Sequence, residues 1–155
     1  MKIGLIDVDS KNFPSLPLMK ISAWHKKQGD SVSWYNVFDE YDKVYMSKVF
    51  SNSPDYGLVI NNTKEIIRGG TGYAIHGAGG EQYCHADDKP LPDEIEHVYP
   101  DYDLYGIKDT AYGFLTRGCP RGCFFCIVGK KEGLKSRKVA DLKEFWGGAK
   151  KHCPM

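Results

Sequence analysis

The segment Thr116-Arg117-Gly118-Cys119-Pro120-Arg121-Gly122-Cys123-Phe124-Phe125-Cys126 constrains this chain more than any other. Three cysteines fall within eight residues in the spacing C-x3-C-x2-C, where Pro120 and Gly122 help the backbone to curl. Thiolates this close can converge on one inorganic centre, and iron–sulfur clusters are normally held by four cysteines. Three leave one iron open, and an open position is what separates a reactive metal centre from a structural one. The remaining cysteines are Cys84 and Cys153, an odd total of five. That is poor material for an extracellular disulfide framework and better material for a metal site in a reducing cytosol.

With 155 residues, the chain has the length of one domain, or of one domain and a fragment. A content of 41% apolar and 13% aromatic residues is enough for an ordinary core. The net charge of +1 provides no whole-chain field to attract nucleic acid or an anionic membrane. No apolar run approaches the roughly 20 residues of a membrane helix. Met1-Lys2-Ile3-Gly4-Leu5-Ile6-Asp7 meets charge too early for a secretory segment. These features favour a cytoplasmic protein with no membrane partner.

Along the chain, residues 3–8 form an apolar run suited to a buried strand, ending in Asp7-Val8-Asp9. Ser15 is a fair N-cap, Pro17 fits a first helical turn, and Leu16, Met19 and Ala23 share a face. A helix over 16–28 follows, stopped by Gly29. Residues 31–35 and 43–50 read as strands, and 65–68 as a weaker one closed by Gly69-Gly70-Thr71-Gly72. This order predicts an open α/β sheet for 1–75. The connection from 35 to 43 is short for a parallel crossover, so either a minimal turn serves or one strand runs antiparallel.

Residues 76–108 read as a linker. Gly77-Ala78-Gly79-Gly80 opens it, and seven acidic residues lie between Asp87 and Asp103, with prolines at 90, 92 and 100. A strand over 111–116 then leads into the cysteines. Beyond them come a basic loop, Lys130 to Lys138, and a helix from about Val139 to Trp146.

The cysteine segment resembles the cluster loop of the radical S-adenosylmethionine (SAM) enzymes, whose motif is C-x3-C-x-Φ-C with Φ aromatic. Phe125 stands at the aromatic position. The resemblance implies that Cys119, Cys123 and Cys126 ligate three irons of a 4Fe–4S cluster and that SAM chelates the fourth, with Phe125 beside its adenine. It also implies reductive cleavage of SAM to a 5′-deoxyadenosyl radical, an electron donor such as flavodoxin or ferredoxin, and a substrate that the sequence does not name. The chain is similar to the subset of that family in which a cobalamin-binding-like α/β domain precedes the barrel. The matching features are the opening strand, Gly69–Gly72, the acidic proline-containing stretch and Thr-Arg-Gly-Cys-Pro. The D-x-H-x-x-G cobalamin motif has no counterpart in Asp7-Val8-Asp9-Ser10-Lys11-Asn12, so cobalamin is not expected.

The expected architecture is therefore an open flavodoxin-like sheet domain (1–75), a linker (76–108), and the first βα unit of a partial radical SAM (β/α) barrel (109–155). Such a barrel needs on the order of 190 residues, and 29 residues follow Cys126. The chain reads as the front end of a radical SAM protein, truncated or completed by another polypeptide, and turnover by it alone is in question.

Other assignments compete. The three cysteines could close around a structural zinc with Cys84, His85, His152 or Cys153, making a non-catalytic zinc or iron–sulfur module. Asp7 and Asp9 could imitate the magnesium pocket of a receiver-like signalling domain, since open α/β sheets bind ligands at strand ends. Polar punctuation of a strand end is the plainer role for them. Gly69–Gly72 could cradle a phosphate but fits no phosphate-loop pattern, and a turn is the simpler assignment. The basic run Lys130, Lys131, Lys135, Arg137 and Lys138 could touch RNA, yet it lacks interleaved aromatics and suits a solvated face. Trp24, Trp34 and Trp146 read as packing residues, and Tyr99, Tyr102 and Tyr105 as tacks holding their segment to the sheet.

Overall fold

The computed structural model describes residues 1–10, 13–77 and 82–147. Lys11, Asn12, 78–81 and 148–155 lie outside the described residues, and with them part of the glycine stretch at 77–80 and the candidate donors His152 and Cys153. The chain divides into two compact units, Met1–Tyr105 and Gly106–Met155.

The first unit is an α/β fold. It runs β1 (Lys2–Asp7), α1 (Leu16–Lys27), β2 (Ser31–Trp34), β3 (Tyr41–Ser47), β4 (Thr63–Gly69), α2 (Thr71–Ala74), β5 (Ile75–His76), β6 (Gln82–Tyr83), α3 (Asp93–Glu96) and a 3-10 turn at Tyr102–Tyr105. Strands β1 to β4 form a parallel sheet in the order β2-β1-β3-β4, the order of a flavodoxin-like sheet. Its central strand is the apolar run at the N-terminus, buried from Ile3 to Ile6, as expected where a parallel strand is covered on both faces. Alternation sends Ile3 and Leu5 to one face, against Leu18 and Ile21 of α1 and Ile95 of α3. Ile6 points the other way and packs with Tyr41, Val44 and Met46. Each such side chain contributes about 1.5–3 kcal/mol through burial.

Helix α1 starts and stops where its sequence signals stand, with one difference. Ser15 holds the N-cap position but makes no side-chain cap. Its hydroxyl instead donates to Ser47 Oγ at 3.0 Å, joining the helix start to the end of β3. Gly29 takes φ 83° after the last turn, and the Asp30 amide donates back to the His25 carbonyl at 3.0 Å. His25 is buried with both ring nitrogens engaged, Nδ1 at 2.7 Å from Asp30 Oδ2 and Nε2 at 3.0 Å from the Tyr45 hydroxyl.

All four main strands are parallel, so the minimal connection is the one that occurs. Strands β2 and β3 flank β1, and residues 35–40 join them without a helix. The four-residue β2 leaves little height to recover, and six extended residues reach roughly 20 Å. The loop is pinned by Asn62, whose amide donates to the carbonyls of Asn36 and Val37 at 3.3 Å and to that of Asp39. The Tyr41 hydroxyl accepts from the Asn36 amide at 3.0 Å.

Residues from Ile75 to Tyr105 belong to this unit. Their carboxylates meet the basic side chains of α1. Asp101 Oδ2 accepts from Ser22 Oγ and Lys26 Nζ, each at 2.6 Å, and Glu96 pairs with Lys20 at 3.0 Å. Ile95 and Tyr102 are buried. Other acids of the stretch bond within it, Asp87 to His76 and Asp88 to Tyr83.

The second unit contains β7 (Thr116–Arg117), α4 (Val128–Lys131), β8 (Arg137–Lys138) and a 3-10 turn at Leu142–Glu144. Of the expected strand over 111–116 only Thr116 is in a ladder; it and the following Arg117 pair antiparallel with Lys138 and Arg137. Gly113 lies under the Phe145 ring so closely that a Cβ would stand 2.2 Å from its Cγ. The expected helix from Val139 to Trp146 is a single 3-10 turn opened by an Asp141–Glu144 capping box. Gly147 and Gly148 follow at once, and so short a segment cannot recover the cost of helix nucleation.

Candidate functional site

The cysteine loop leaves β7 at Arg117 and ends at α4. Two glycines with positive φ shape it, Gly118 at 89° and Gly122 at 60°. Gly118 also lies against the Lys135 carbonyl, where a Cβ would approach to 2.2 Å. The Cys119 amide donates to the Gly133 carbonyl at 3.1 Å, and the Cys126 amide to the Cys123 carbonyl at 3.0 Å. Cys119, Cys123 and Cys126 are free thiols and half-buried. Phe124 and Phe125 are 93% and 79% exposed and meet edge to face at 5.2 Å. An aromatic ring left in solvent beside three thiols is available to a planar ligand.

Glu132 organises the approach to this loop. Its Oε1 accepts from Arg117 Nη1 at 2.8 Å and its Oε2 from the Gly118 amide at 3.0 Å, while its carbonyl accepts from Arg137 Nη1 at 2.7 Å. Burial would raise its carboxyl, but the Gly118 amide and the Arg117 guanidinium outweigh burial and hold it below the usual glutamate range. Glu132 escaped sequence reading because no local spacing connects it to Gly118. Within the basic run, Arg137 is engaged by Glu132 and Lys138 by Asp141.

The other candidates resolve into local bonding. Asp7 accepts from the Ser10 amide at 3.0 Å and the Tyr105 hydroxyl at 2.5 Å, and Asp9 from the amides of Val49 and Phe50 at 2.9 and 2.8 Å. Both carboxylates thus tie loops at strand ends. In the glycine stretch, a Cβ on Gly70 would stand 2.3 Å from the Lys48 carbonyl, and the Gly72 amide donates to that same oxygen at 2.9 Å. This is a close chain crossing, with the Gly72 N–H already used.

A second cluster emerges that no sequence spacing announced. Among the described residues, one set of three His, Cys, Asp or Glu ligand atoms lies within 4.8 Å of one another, and it is His76, Cys84 and Asp87. His85, adjacent to Cys84, turns instead to the Tyr83 ring at 4.7 Å. No helix among the described residues is long and apolar enough to cross a membrane. Comparison with protein families, with curated proteins and with solved structures finds no match to this chain.

Proposed function

We propose that this chain carries the cluster-binding loop of a radical SAM protein, with Cys119, Cys123 and Cys126 as ligands of a 4Fe–4S cluster and Phe125 as the adenine contact of SAM. The observation that carries this is one glycine-shaped loop bearing three free, half-buried thiols in C-x3-C-x2-C spacing, beside an exposed Phe125. The donor set fits the group: all three donors are soft sulfurs, and three thiolates leave one iron for an exogenous ligand. When bound, the cluster would supply the electron that cleaves the SAM sulfonium. The chain's own residues hold the backbone at the entry to the loop, from Arg117 to Cys119, through Glu132 and the Gly133 carbonyl, and offer the Phe125 face.

In this assignment the first unit is a cobalamin-binding-like domain without cobalamin. The second unit carries the cluster loop, and its short β7–β8 ladder is antiparallel, so turnover on the substrate would require the parallel strands of a radical SAM barrel in addition. A cytoplasmic location and a flavodoxin or ferredoxin donor go with the same chemistry.

Anaerobic reconstitution tests this directly. About four iron and four sulfide per chain are expected, with an electron paramagnetic resonance signal of the reduced protein that shifts on adding SAM. Iron binding by Cys119→Ala equal to that of the parent would refute the assignment. Stoichiometric zinc that is lost from the Cys119→Ala chain, with no SAM-dependent spectral change in the parent, would identify a zinc module at this loop instead.

A further inference from the structure

We infer that His76, Cys84 and Asp87 form a binding site for a divalent transition-metal ion, with zinc the best match, in the first unit and independent of the cysteine loop. The hairpin β5–β6 builds it. His76 is opposite Gln82 in the antiparallel register, and the Cys84 amide extends the ladder by donating to the Ala74 carbonyl at 2.8 Å. His76 and Cys84 are therefore diagonal neighbours on one face of the hairpin, within reach of each other's side chains. A turn then brings Asp87 back, its amide donating to the Cys84 carbonyl at 3.3 Å.

The three ligand atoms converge within 4.8 Å, with His76 Nε2 at 2.7 Å from Asp87 Oδ2. Asp87 is held below the usual aspartate range, first by the hydrogen bond from His76 and then by that from Cys84. The carboxylate thus sits between two groups whose nitrogen and sulfur are themselves metal donors. An imidazole, a thiolate and a carboxylate are the donor types zinc takes, and tetrahedral bonds of about 2.0–2.3 Å set donors roughly 3.3–3.7 Å apart. The 2.7 Å His76–Asp87 pair would therefore open slightly and the wider contacts, up to 4.8 Å, close to enclose the ion. The His76 and Asp87 side chains are about half exposed, at 53% and 50%. Solvent thus reaches the site and a water can complete a tetrahedron. Thiolate and imidazole nitrogen bind a metal only without their protons, so binding would displace the His76 Nε2–Asp87 hydrogen bond and release protons to solvent.

The test removes the other thiol site first. In a Cys119→Ala/Cys123→Ala/Cys126→Ala chain, titration with Zn²⁺ should show one ion bound per chain. Adding His76→Gln, Cys84→Ser or Asp87→Asn should each weaken binding by on the order of 100-fold. Co²⁺ should give a thiolate charge-transfer band that Cys84→Ser abolishes, and Zn²⁺ should slow alkylation of the Cys84 thiol, followed by peptide mass. Circular dichroism of each variant checks that the half-exposed substitutions leave the fold intact. No zinc bound by the triple variant, or binding indifferent to His76→Gln and Cys84→Ser, would overturn the site. Iron loading of the parent reports separately on the cysteine loop.

Discussion

The Tyr105 hydroxyl donates to Asp7 Oδ2 at 2.5 Å, linking the last residue of the first unit to the end of its central strand. Burial, reinforced by the Asp7 carboxylate, pushes the phenol far above its ordinary pKa, so the proton stays in place across any working pH. Hydrogen bonds to a charged partner are worth about 1.5–3 kcal/mol. Tyr105→Phe should therefore lower the unfolding free energy by about that amount in urea titration. A loss near zero would show that water replaces the phenol at Asp7.

Backbone geometry gives a sharper contrast. Gly70 combines φ 103° with a 2.3 Å approach of its would-be Cβ to the Lys48 carbonyl. Gly70→Ala should cost on the order of 2–4 kcal/mol, because strain and a clash with fixed backbone add. Gly29 has φ 83° but open space around it, so Gly29→Ala should cost only about 1 kcal/mol. Thermal melts of the pair measure the difference, and equal losses would contradict the close crossing.

Acid should destabilise the first unit through its docked carboxylates. Burial by itself would raise Asp101, but the hydrogen bonds from Lys26 and Ser22 hold it below the usual range. Asp42 is lowered by Lys64 and by the Lys2 amide. A lowered folded pKa contributes stability that is complete above the unfolded value of about 4 and is lost as pH falls through the folded value. The urea midpoint should hold steady from neutrality to about pH 5 and decline below about pH 4. Asp101→Asn should start lower and decline less. A parent profile flat into strong acid would be inconsistent with these pairs.

Glu132 should act as a positioning residue for the cysteine loop. Glu132→Ala removes both the Arg117 and the Gly118 contacts and should reduce iron retained after reconstitution several-fold, while Glu132→Gln should recover part of it. Cys84→Ala should leave iron content at the parent level, measured by the same iron and sulfide assay. Iron retention unmoved in Glu132→Ala would place the loop's order elsewhere.

How much of this was legible in the sequence depends on the reach of each signal. The apolar run at 3–8, the extent of α1, Pro17, Gly29 and the spacing of Cys119, Cys123 and Cys126 are local patterns. Strands β1 to β4 follow from them because a continuous apolar run or a short β-branched and aromatic stretch has few other ways to bury itself. The face of α1 differs: the helix buries Leu18, Ile21, Ser22 and His25, sharing only Met19 with the expected face through Leu16, Met19 and Ala23.

What only the tertiary structure decided is where distant segments return. The sequence of 76–105 shows acid and proline, but the pairing of Glu96 with the buried Lys20 and of Asp101 with Lys26 appears only in the folded chain. Phe145 packs on Gly113, more than thirty residues away, a contact that the sequence of 139–146 does not announce. Glu132 reaches Gly118, and His76 reaches Cys84 and Asp87, through hairpin and loop geometry that carries no periodic signature. Local chemistry determines which elements form, whereas partners across the chain are chosen by backbone paths that no single window of sequence contains.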